Sequence, residues 1–290
     1  MAAGFLTPAE ICAYTADAGV TKAMLPRAKQ FLLGILAGAF IAFASEGSNM
    51  AAFNLLAEPT SYGMGRCLAG AVFPTGLMLV VLCGGELFTG NTLMGIALVE
   101  KRIRLSQMFN NWIFVYLGNF VGSVFMAHMM THSGLFNNGA GLLGGVTIRI
   151  ASGKVSLPFL SAVYLGIMCN WLVCLAVWIA YGAKDMAGKI LGIFCPIWLF
   201  ITSGFEHSVA NMYYVPAGIM AKSNSAWAAA SKLSPEALDS LTWSAFIVNN
   251  LVPVTLGNII GGLVFVGLAY WASYMRGAPK AAPQAEPSTK

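Results

Sequence analysis

The stretch "SGFEHSVAN", residues 203–211, places a carboxylate and an imidazole side by side inside an apolar part of the chain. No charged residue lies in 190–205 or in 208–221. A related stretch, "CGGELFTGN", occupies residues 83–91 of another apolar segment. Each of these two segments is too long for one straight span and is interrupted near its middle by glycine and an acidic residue. The pattern predicts two broken helices.

The amino-acid composition indicates that these helices lie in a lipid membrane. Of the 290 residues, 58% are hydrophobic and 9% are charged, whereas a soluble domain carries about 25% charged residues. A membrane-spanning helix needs about 20 predominantly apolar residues. Six segments meet this requirement: 30–50, 67–99, 105–130, 155–183, 190–221 and 243–275. The sequence therefore predicts an all-α integral membrane protein with six transmembrane helices.

The positive charges predict its orientation. With six spans, eleven of the 16 lysines and arginines fall on the side of the two termini and five on the other. Because cytoplasmic loops are enriched in Lys and Arg, we expect both termini in the cytoplasm and a multi-pass protein of the cell's inner (plasma) membrane. The same residues lie in short loops, so nucleic acid is not an expected partner; the lipid bilayer is.

The two halves of the chain resemble each other. "NWIFVYLGNFVG" (111–122) and "NLVPVTLGNIIG" (250–261) share N-x3-V-x-L-G-N-x2-G, and "FLLGILAG" (31–38) and "FLSAVYLG" (159–166) share F-L-x5-G. Three spans in each half would insert the second copy upside down. Inverted repeats with paired broken helices are typical of transport proteins whose site lies near the bilayer midplane. We therefore predict an inverted 3+3 repeat with broken second and fifth helices.

Three regions are expected along the chain. Residues 1–28 form a cytoplasmic N-terminal helix that begins at a capping box, "TPAE" (7–10), and acts either as a gate or as an interfacial anchor. Residues 29–276 form the six-helix channel domain. Residues 277–290 form a disordered cytoplasmic tail. The glycine pairs in the first, third and sixth spans predict close helix packing, within or between protomers.

Ionisable residues inside the membrane are candidates for function, because a charge there costs about 2.5–3.5 kcal/mol. His207 and Thr89 lie at the two breaks and are expected to meet at the centre, unless the histidine only joins the two broken helices. Glu86 and Glu206 are expected to be structural and to cap the helices after the breaks; the functional alternative is a proton relay. Asn170 either lines a pore or bonds a neighbouring helix, and Lys154 alone reads as a solvated lysine.

Several other classes of protein are disfavoured. The pair His128 and His132 lacks a third ligand, and the six cysteines show no C-x-x-C spacing, so no metal and no cofactor are expected. A membrane enzyme or haem protein remains a rival, as does a pore for neutral solutes, although the Asn-Pro-Ala boxes of aquaporins are missing.

Five motifs resemble the formate/nitrite transporter family, which includes formate, nitrite and hydrosulfide channels. They are "GELFTGN", "FVYLGNFVGS", "CNWLVCLAVW", "SGFEHSVANMYYVPAGI" and "NNLVPVTLGNIIGG". The similarity spans about residues 5–275. It implies an aquaporin-like protomer, a homopentamer with one pore in each protomer, and a channel rather than an enzyme.

The resemblance also implies roles for individual residues. His207 and Thr89 would form the central pore, and Lys154 and Asn170 would line the outer vestibule, with Lys154 attracting anions. Apolar constrictions would be formed by Phe73, Leu77, Leu87, Phe88, Val173 and Phe200. The expected substrate is a small monovalent anion, formate first, whose charge His207 eases by hydrogen bonding or by proton donation. Protons are thus a further candidate partner.

The choice among anions stays open at this point. "GELFTGN" together with "FEHSVANMYY" looks closest to the hydrosulfide branch of the family. A hydrosulfide or nitrite channel is therefore the alternative to a formate channel.

Overall fold

The structure is a computed structural model, and it describes residues 4–277. The regular secondary structure of this part of the chain is helical, apart from an isolated bridge between Phe5 and Ala183. Six helices in it are long and apolar enough to cross a membrane, which confirms the predicted architecture of a multi-pass membrane protein. The helices are α1 Pro8–Ala23, α2 Arg27–Ala57, α3 Pro59–Cys83, α4 Phe88–Val99, α5 Leu105–His132, α6 Leu142–Val155, α7 Phe159–Gly182, α8 Met186–Ser203, α9 Ser208–Ala221, α10 Ser225–Ala230, α11 Pro235–Ser240 and α12 Trp243–Tyr274.

The second and fifth spans are broken as predicted, and glycine explains where. The residues that follow α3 and α8 are Gly84 and Gly204, whose φ angles are +85° and +81°. A left-handed φ ends a helix, and only glycine adopts it without steric cost. The chain then leaves the helical conformation until α4 starts at Phe88 and α9 starts at Ser208. The predicted tail falls mostly on residues 278–290, which lie outside the described residues.

The repeat is larger than the sequence suggested. Helices α1–α5 form the first copy, and α6, α7, α8, α9 and α12 form the second. Lys22 near the end of α1 binds Glu86 at the first break, and Lys154 near the end of α6 binds Glu206 at the second, both at 2.7 Å. The N-terminal helix expected within residues 1–28 is therefore the counterpart of α6, packed on the rest of the first copy.

One sequence alignment within the repeat is wrong by a helical turn. "FLLGILAG" and "FLSAVYLG" pair Gly38 with Gly166, but the contacts pair Gly34 with Gly166. A Cβ built on either Gly34 or Gly166 would lie 2.8 Å from a carbonyl oxygen of the facing helix, that of Val115 or Val254. Because α2 carries glycines four residues apart on one face, the sequence alone matches either glycine equally well.

These glycines let helices touch within the protomer. Helix α2 packs on α5, and α7 packs on α12, with backbone against backbone. A Cβ at Gly122 would lie 2.0 Å from the carbonyl oxygen of Ile35, and one at Gly257 would lie 2.2 Å from that of Val163. No side chain fits at such distances, so a larger residue must push the two helices apart.

We expect Gly122→Val to destabilise the protein by about 3 kcal/mol or more, at the upper end of the cost of overpacking. Thermal unfolding in detergent would measure the loss as a lowered Tm. Gly63→Val is the matched control, because a Cβ at Gly63 meets nothing within 4 Å. An unchanged Tm for Gly122→Val would show that the α2–α5 contact is looser than described.

Candidate functional site

At the first break, one buried amide binds three backbone groups. The Nδ2 atom of Asn119 donates to the carbonyl oxygens of Gly34 (2.8 Å) and Glu86 (2.9 Å). Its Oδ1 atom accepts from the N–H of Phe88 at 3.0 Å. The N–H groups at the start of a helix have no intrahelical partner, so Asn119 caps α4 from a neighbouring span.

Asn258 repeats this arrangement at the second break. Its Nδ2 atom donates to the carbonyl oxygens of Gly166 (2.8 Å) and Glu206 (3.0 Å), and its Oδ1 atom accepts from the N–H of Ser208 at 2.9 Å. Each of the two matching motifs contains a Gly-Asn dipeptide, residues 118–119 and 257–258. The glycine lets the two helix backbones approach closely, and the asparagine amide then reaches the backbone groups of the facing helix.

The carboxylate of Glu86 lies in a chain of polar side chains that ends at Lys22. Glu86 accepts from the Lys22 ammonium and from Asn91 Nδ2, each at 2.7 Å, and Asn91 Nδ2 also donates to Asn111 Oδ1 at 2.8 Å. Burial lowers the pKa of Lys22, but the Glu86 carboxylate and the nearby Tyr181 hydroxyl together outweigh this and raise the pKa above its ordinary value. Lys22 is therefore charged at neutral pH.

Glu206 has the same partners in the second copy. It accepts from Lys154 Nζ at 2.7 Å and from Asn211 Nδ2 at 2.6 Å, and Asn211 Nδ2 donates to Asn250 Oδ1 at 2.7 Å. The expectation that Glu86 and Glu206 cap the following helices is therefore wrong. Asparagines take that role, because an amide can serve the N–H groups and the neighbouring carbonyls together.

The structure places His207 and Thr89 together. Thr89 Oγ1 lies 3.0 Å from His207 Nε2, and His207 Nδ1 accepts from the backbone N–H of Ala210 at 3.0 Å. Because a backbone N–H can only donate, Nδ1 carries no proton, and a neutral imidazole must then carry it on Nε2. Thr89 therefore accepts from His207, which leaves the threonine hydroxyl hydrogen to donate elsewhere.

Asn170 lies beneath this pair and not at the mouth of a cavity. It is fully buried, and its Nδ2 atom donates to the carbonyl oxygens of Thr89 (3.1 Å) and Asn258 (2.7 Å). It lines none of the cavities described below. The hydrogen bonds observed are those of the other reading of the sequence, a bond to neighbouring helices, and the vestibule role implied by the family resemblance stays a prediction.

A cavity of about 620 Å³ opens at Lys154 and also contacts Arg66, Arg149 and Glu206. A narrower cavity of about 60 Å³ shares Lys154 and Glu206 with it and is also lined by Phe200 and His207. The Phe200 and His207 rings stack with centroids 6.0 Å apart. The path from this mouth thus reaches the central histidine past an aromatic ring.

On the opposite side a cavity of about 140 Å³ is lined by Lys22, Leu77, Leu87 and Gly90. It reaches Gly90, which follows Thr89 in the chain, and Leu87, two residues before it. The two cavities therefore approach the His207–Thr89 pair from the two copies of the repeat, each with a lysine at its mouth.

The predicted constriction residues divide into three groups. Phe200, Leu77 and Leu87 line the cavities, and Phe73 packs edge-on against Phe200 with centroids 5.6 Å apart. Val173 is buried and lines neither cavity.

Phe88 is the third case. Its ring packs on Trp112 and Tyr116 of α5, with centroid distances of 5.8 and 4.8 Å. Those contacts belong to the packing of α4 against α5.

Sequence reasoning missed two ionisable groups. Lys22 is one of the eleven positive charges that predict the orientation, and nothing local marks it further, since its partner Glu86 is 64 residues away. Glu46 is a buried carboxyl group in the first span, where it accepts a hydrogen bond from the buried Tyr213 hydroxyl. The signal for Glu46 was present, because any acid within a predicted span is a functional candidate.

Known proteins with the same features are transporters. A model of the formate/nitrite transporter family matches residues 9–272. The formate channel FocA of Escherichia coli strain K12 is 40% identical over 274 residues, covering 93% of this chain and 95% of the relative. The formate channel BtFdhC of Bacillus thuringiensis is 41% identical over 274 residues, covering 94% and 97%.

A solved structure leads to the same conclusion. It is described as a pentameric formate channel with formate bound, and it superposes with a TM-score of 0.76 at 38% identity, covering 86% of this chain and 97% of its own. The family match covers the first five membrane segments, both breaks and all but the last two residues of the sixth segment. The chain is therefore a transport protein rather than an enzyme, and it belongs to the formate/nitrite transporter family.

Proposed function

We propose that this protein is a channel for small monovalent anions and that formate is its main substrate. The observation that carries the proposal is the buried His207–Thr89 pair, which two cavities with lysine mouths approach from opposite sides. Both relatives named above are formate channels, so formate is placed ahead of hydrosulfide and nitrite.

Apolar residues flank the central pair and make the polar contact necessary. An anion that passes Phe200 and Phe73 on one side, or Leu77 and Leu87 on the other, loses water without gaining a partner. Transfer of an unpaired ion into such surroundings is very costly. A hydrogen-bond donor between the two constrictions lowers this cost where it is greatest.

The tautomer of His207 indicates how the donor works. Its Nδ1 atom is occupied by the Ala210 N–H, so an imidazolium would lose this hydrogen bond to the first turn of α9. A neutral Nε2–H can donate to Thr89, and the threonine hydroxyl can donate to the anion. We infer that the pair assists by hydrogen bonding and not by giving up a proton, so a proton that crosses with the anion would come from solvent.

The assembly and location follow the family and the charge pattern. We infer a homopentamer in the inner (plasma) membrane, with one pathway in each protomer and both termini in the cytoplasm. On this topology the Lys22 mouth faces the cytoplasm, and Lys154 lies at the outer mouth. We also infer that the chain consists of an N-terminal helix (1–28), a channel domain (29–276) and a tail (277–290). Helix α1 forms part of the wall of the inner mouth.

Stopped-flow uptake into proteoliposomes tests the function. We expect formate to enter faster than acetate or chloride, because the apolar constrictions admit only the smallest carboxylate. Nitrite and hydrosulfide complete the panel. Faster uptake of hydrosulfide than of formate would favour the alternative channel, and no uptake above that of empty liposomes would refute transport of this class.

His207→Asn should separate the two roles of the histidine. The asparagine oxygen can still cap Ala210, since asparagine is a preferred N-cap residue, but the side chain no longer reaches Thr89. Without the Nε2–H donor, the Thr89 hydroxyl hydrogen is no longer held toward the anion. Loss of that hydrogen bond to a charged group costs about 1.5–3 kcal/mol, so formate permeability should fall about 10- to 100-fold. Gel filtration should show normal assembly.

His207→Phe and Thr89→Ser complete that comparison. His207→Phe should lose transport and also about 1 kcal/mol of stability with the cap. Thr89→Ser keeps the hydroxyl and should retain transport. Wild-type formate rates in correctly assembled His207→Asn would mean that the histidine only joins the broken helices.

Light scattering in detergent should give a particle of five chains, each of 30.6 kDa, after subtraction of bound detergent. The expectation rests on the family and on the pentameric relative. A monomer or dimer at concentrations where transport is measured would contradict it.

A further inference from the structure

The outer cavity carries more positive charge than its lysine. Its charged lining residues are Arg66, Arg149, Lys154 and Glu206. Lys154 is bound to Glu206 at 2.7 Å, and the two side chains are only 15% and 7% exposed. A close, shielded ion pair has a weak field at a distance, so the pair adds little to the attraction of a third charge. Two arginines remain.

Neither arginine is neutralised. Arg66 donates to the carbonyl oxygen of Ile201, and Arg149 donates to that of Ala57 at 3.4 Å. Among the described residues, neither has a carboxylate within 4.0 Å. Carbonyl groups satisfy N–H donors but leave the positive charge in place, and a guanidinium does not lose its proton in proteins. Both charges therefore act on the cavity.

The opposite mouth lacks this feature. Lys22 is the charged residue that lines its cavity, and Lys22 is paired with Glu86. The repeat supplies one lysine–glutamate pair to each mouth, whereas Arg66 of the first copy and Arg149 of the second line only the outer cavity. The two mouths of a symmetric scaffold thus differ by two positive charges.

We propose that Arg66 and Arg149 form an anion-collecting site in the outer cavity, and that Lys154 serves mainly to neutralise Glu206. This inference rests on the proposed function, since its ligand is the small monovalent anion that the channel carries. Apolar walls focus the field of a cleft and raise the local concentration of ions of opposite sign. The planar guanidinium fork also matches an anion with two oxygens, which describes formate and nitrite.

Arg149 is the residue to test. Arg66 also holds the carbonyl of Ile201 near the end of α8, so its removal would disturb the second break. Lys154 is unsuitable because its loss strands the buried Glu206. Arg149→Gln removes one charge, and Arg149→Lys restores it without the fork. Lys232→Gln is the control. It removes a positive charge on the same side of the protein, because the neighbouring Ala230 and Ser231 lie against Gly145 of α6, but Lys232 does not line the outer cavity.

The measurement is the concentration of formate that gives half-maximal uptake, in right-side-out and in inverted membrane vesicles. At about 0.01 M ionic strength, Arg149→Gln should raise the half-saturating formate concentration about 3- to 10-fold. This increase should appear only in the vesicle orientation that exposes the arginines to the added formate. At about 1 M the difference should vanish, because the Debye length falls from about 30 Å to about 3 Å. Lys232→Gln should stay near wild type, and Arg149→Lys should lie between wild type and Arg149→Gln, because it keeps the charge and loses the fork.

Two results would overturn the proposal. One is an unchanged half-saturating concentration at low salt, which is also expected if Arg149 binds a lipid phosphate instead. The other is an equal change in both orientations or a change that persists at high salt, either of which would indicate a structural role. Wild-type uptake above that of vesicles without the protein tests the proposed function separately, so the two failures are distinguishable.

Discussion

Two asparagine side chains, Asn119 and Asn258, hold the rest of this structure in place. A helix that breaks inside a membrane exposes backbone groups that lipid cannot satisfy. Each asparagine binds two carbonyl oxygens and one N–H at a break. Only an amide has two donors and an acceptor without a charge. The glycine seams are required for this, because they bring the amide within reach of the facing backbone.

The two copies of the repeat differ at the positions that form the central site. Glu86 and Glu206 occupy equivalent positions, and so do Asn91 and Asn211. The equivalent of His207 is then Leu87, and the equivalent of Thr89 is Val209. One copy contributes the imidazole and the other the hydroxyl, and each contributes an apolar residue where the other is polar. The central site thus has a single polar pair with apolar residues on both sides.

Buried charges are managed in different ways across the molecule. Lys22 and Lys154 are each paired with a glutamate that also receives an asparagine donor. A pair with further hydrogen bonds meets the desolvation cost that an isolated ion cannot. Glu46 is different, since it has only the Tyr213 hydroxyl as a donor and its Oε1 atom has no partner among the described residues.

The sequence alone determined the class of the protein, the six spans, the two breaks and the family. These follow from signals local in the chain, such as apolar segment length and the motifs "GELFTGN" and "SGFEHSVAN". It also pointed to His207 and Thr89, because polar residues inside an apolar span are conspicuous.

Tertiary structure decided which groups meet. Lys22 pairs with Glu86, 64 residues away in the chain, and α1 occupies the position in the first copy that α6 occupies in the second. Asn170 turns inward, and the asparagines of α5 and α12 cap the half-helices that the glutamates were expected to cap. Hydrophobic periodicity specifies that a residue is buried but not its partner. The partner depends on how closely two helices approach and on their register. The sequence leaves the register of α2 open, because its glycines lie one turn apart on the same face.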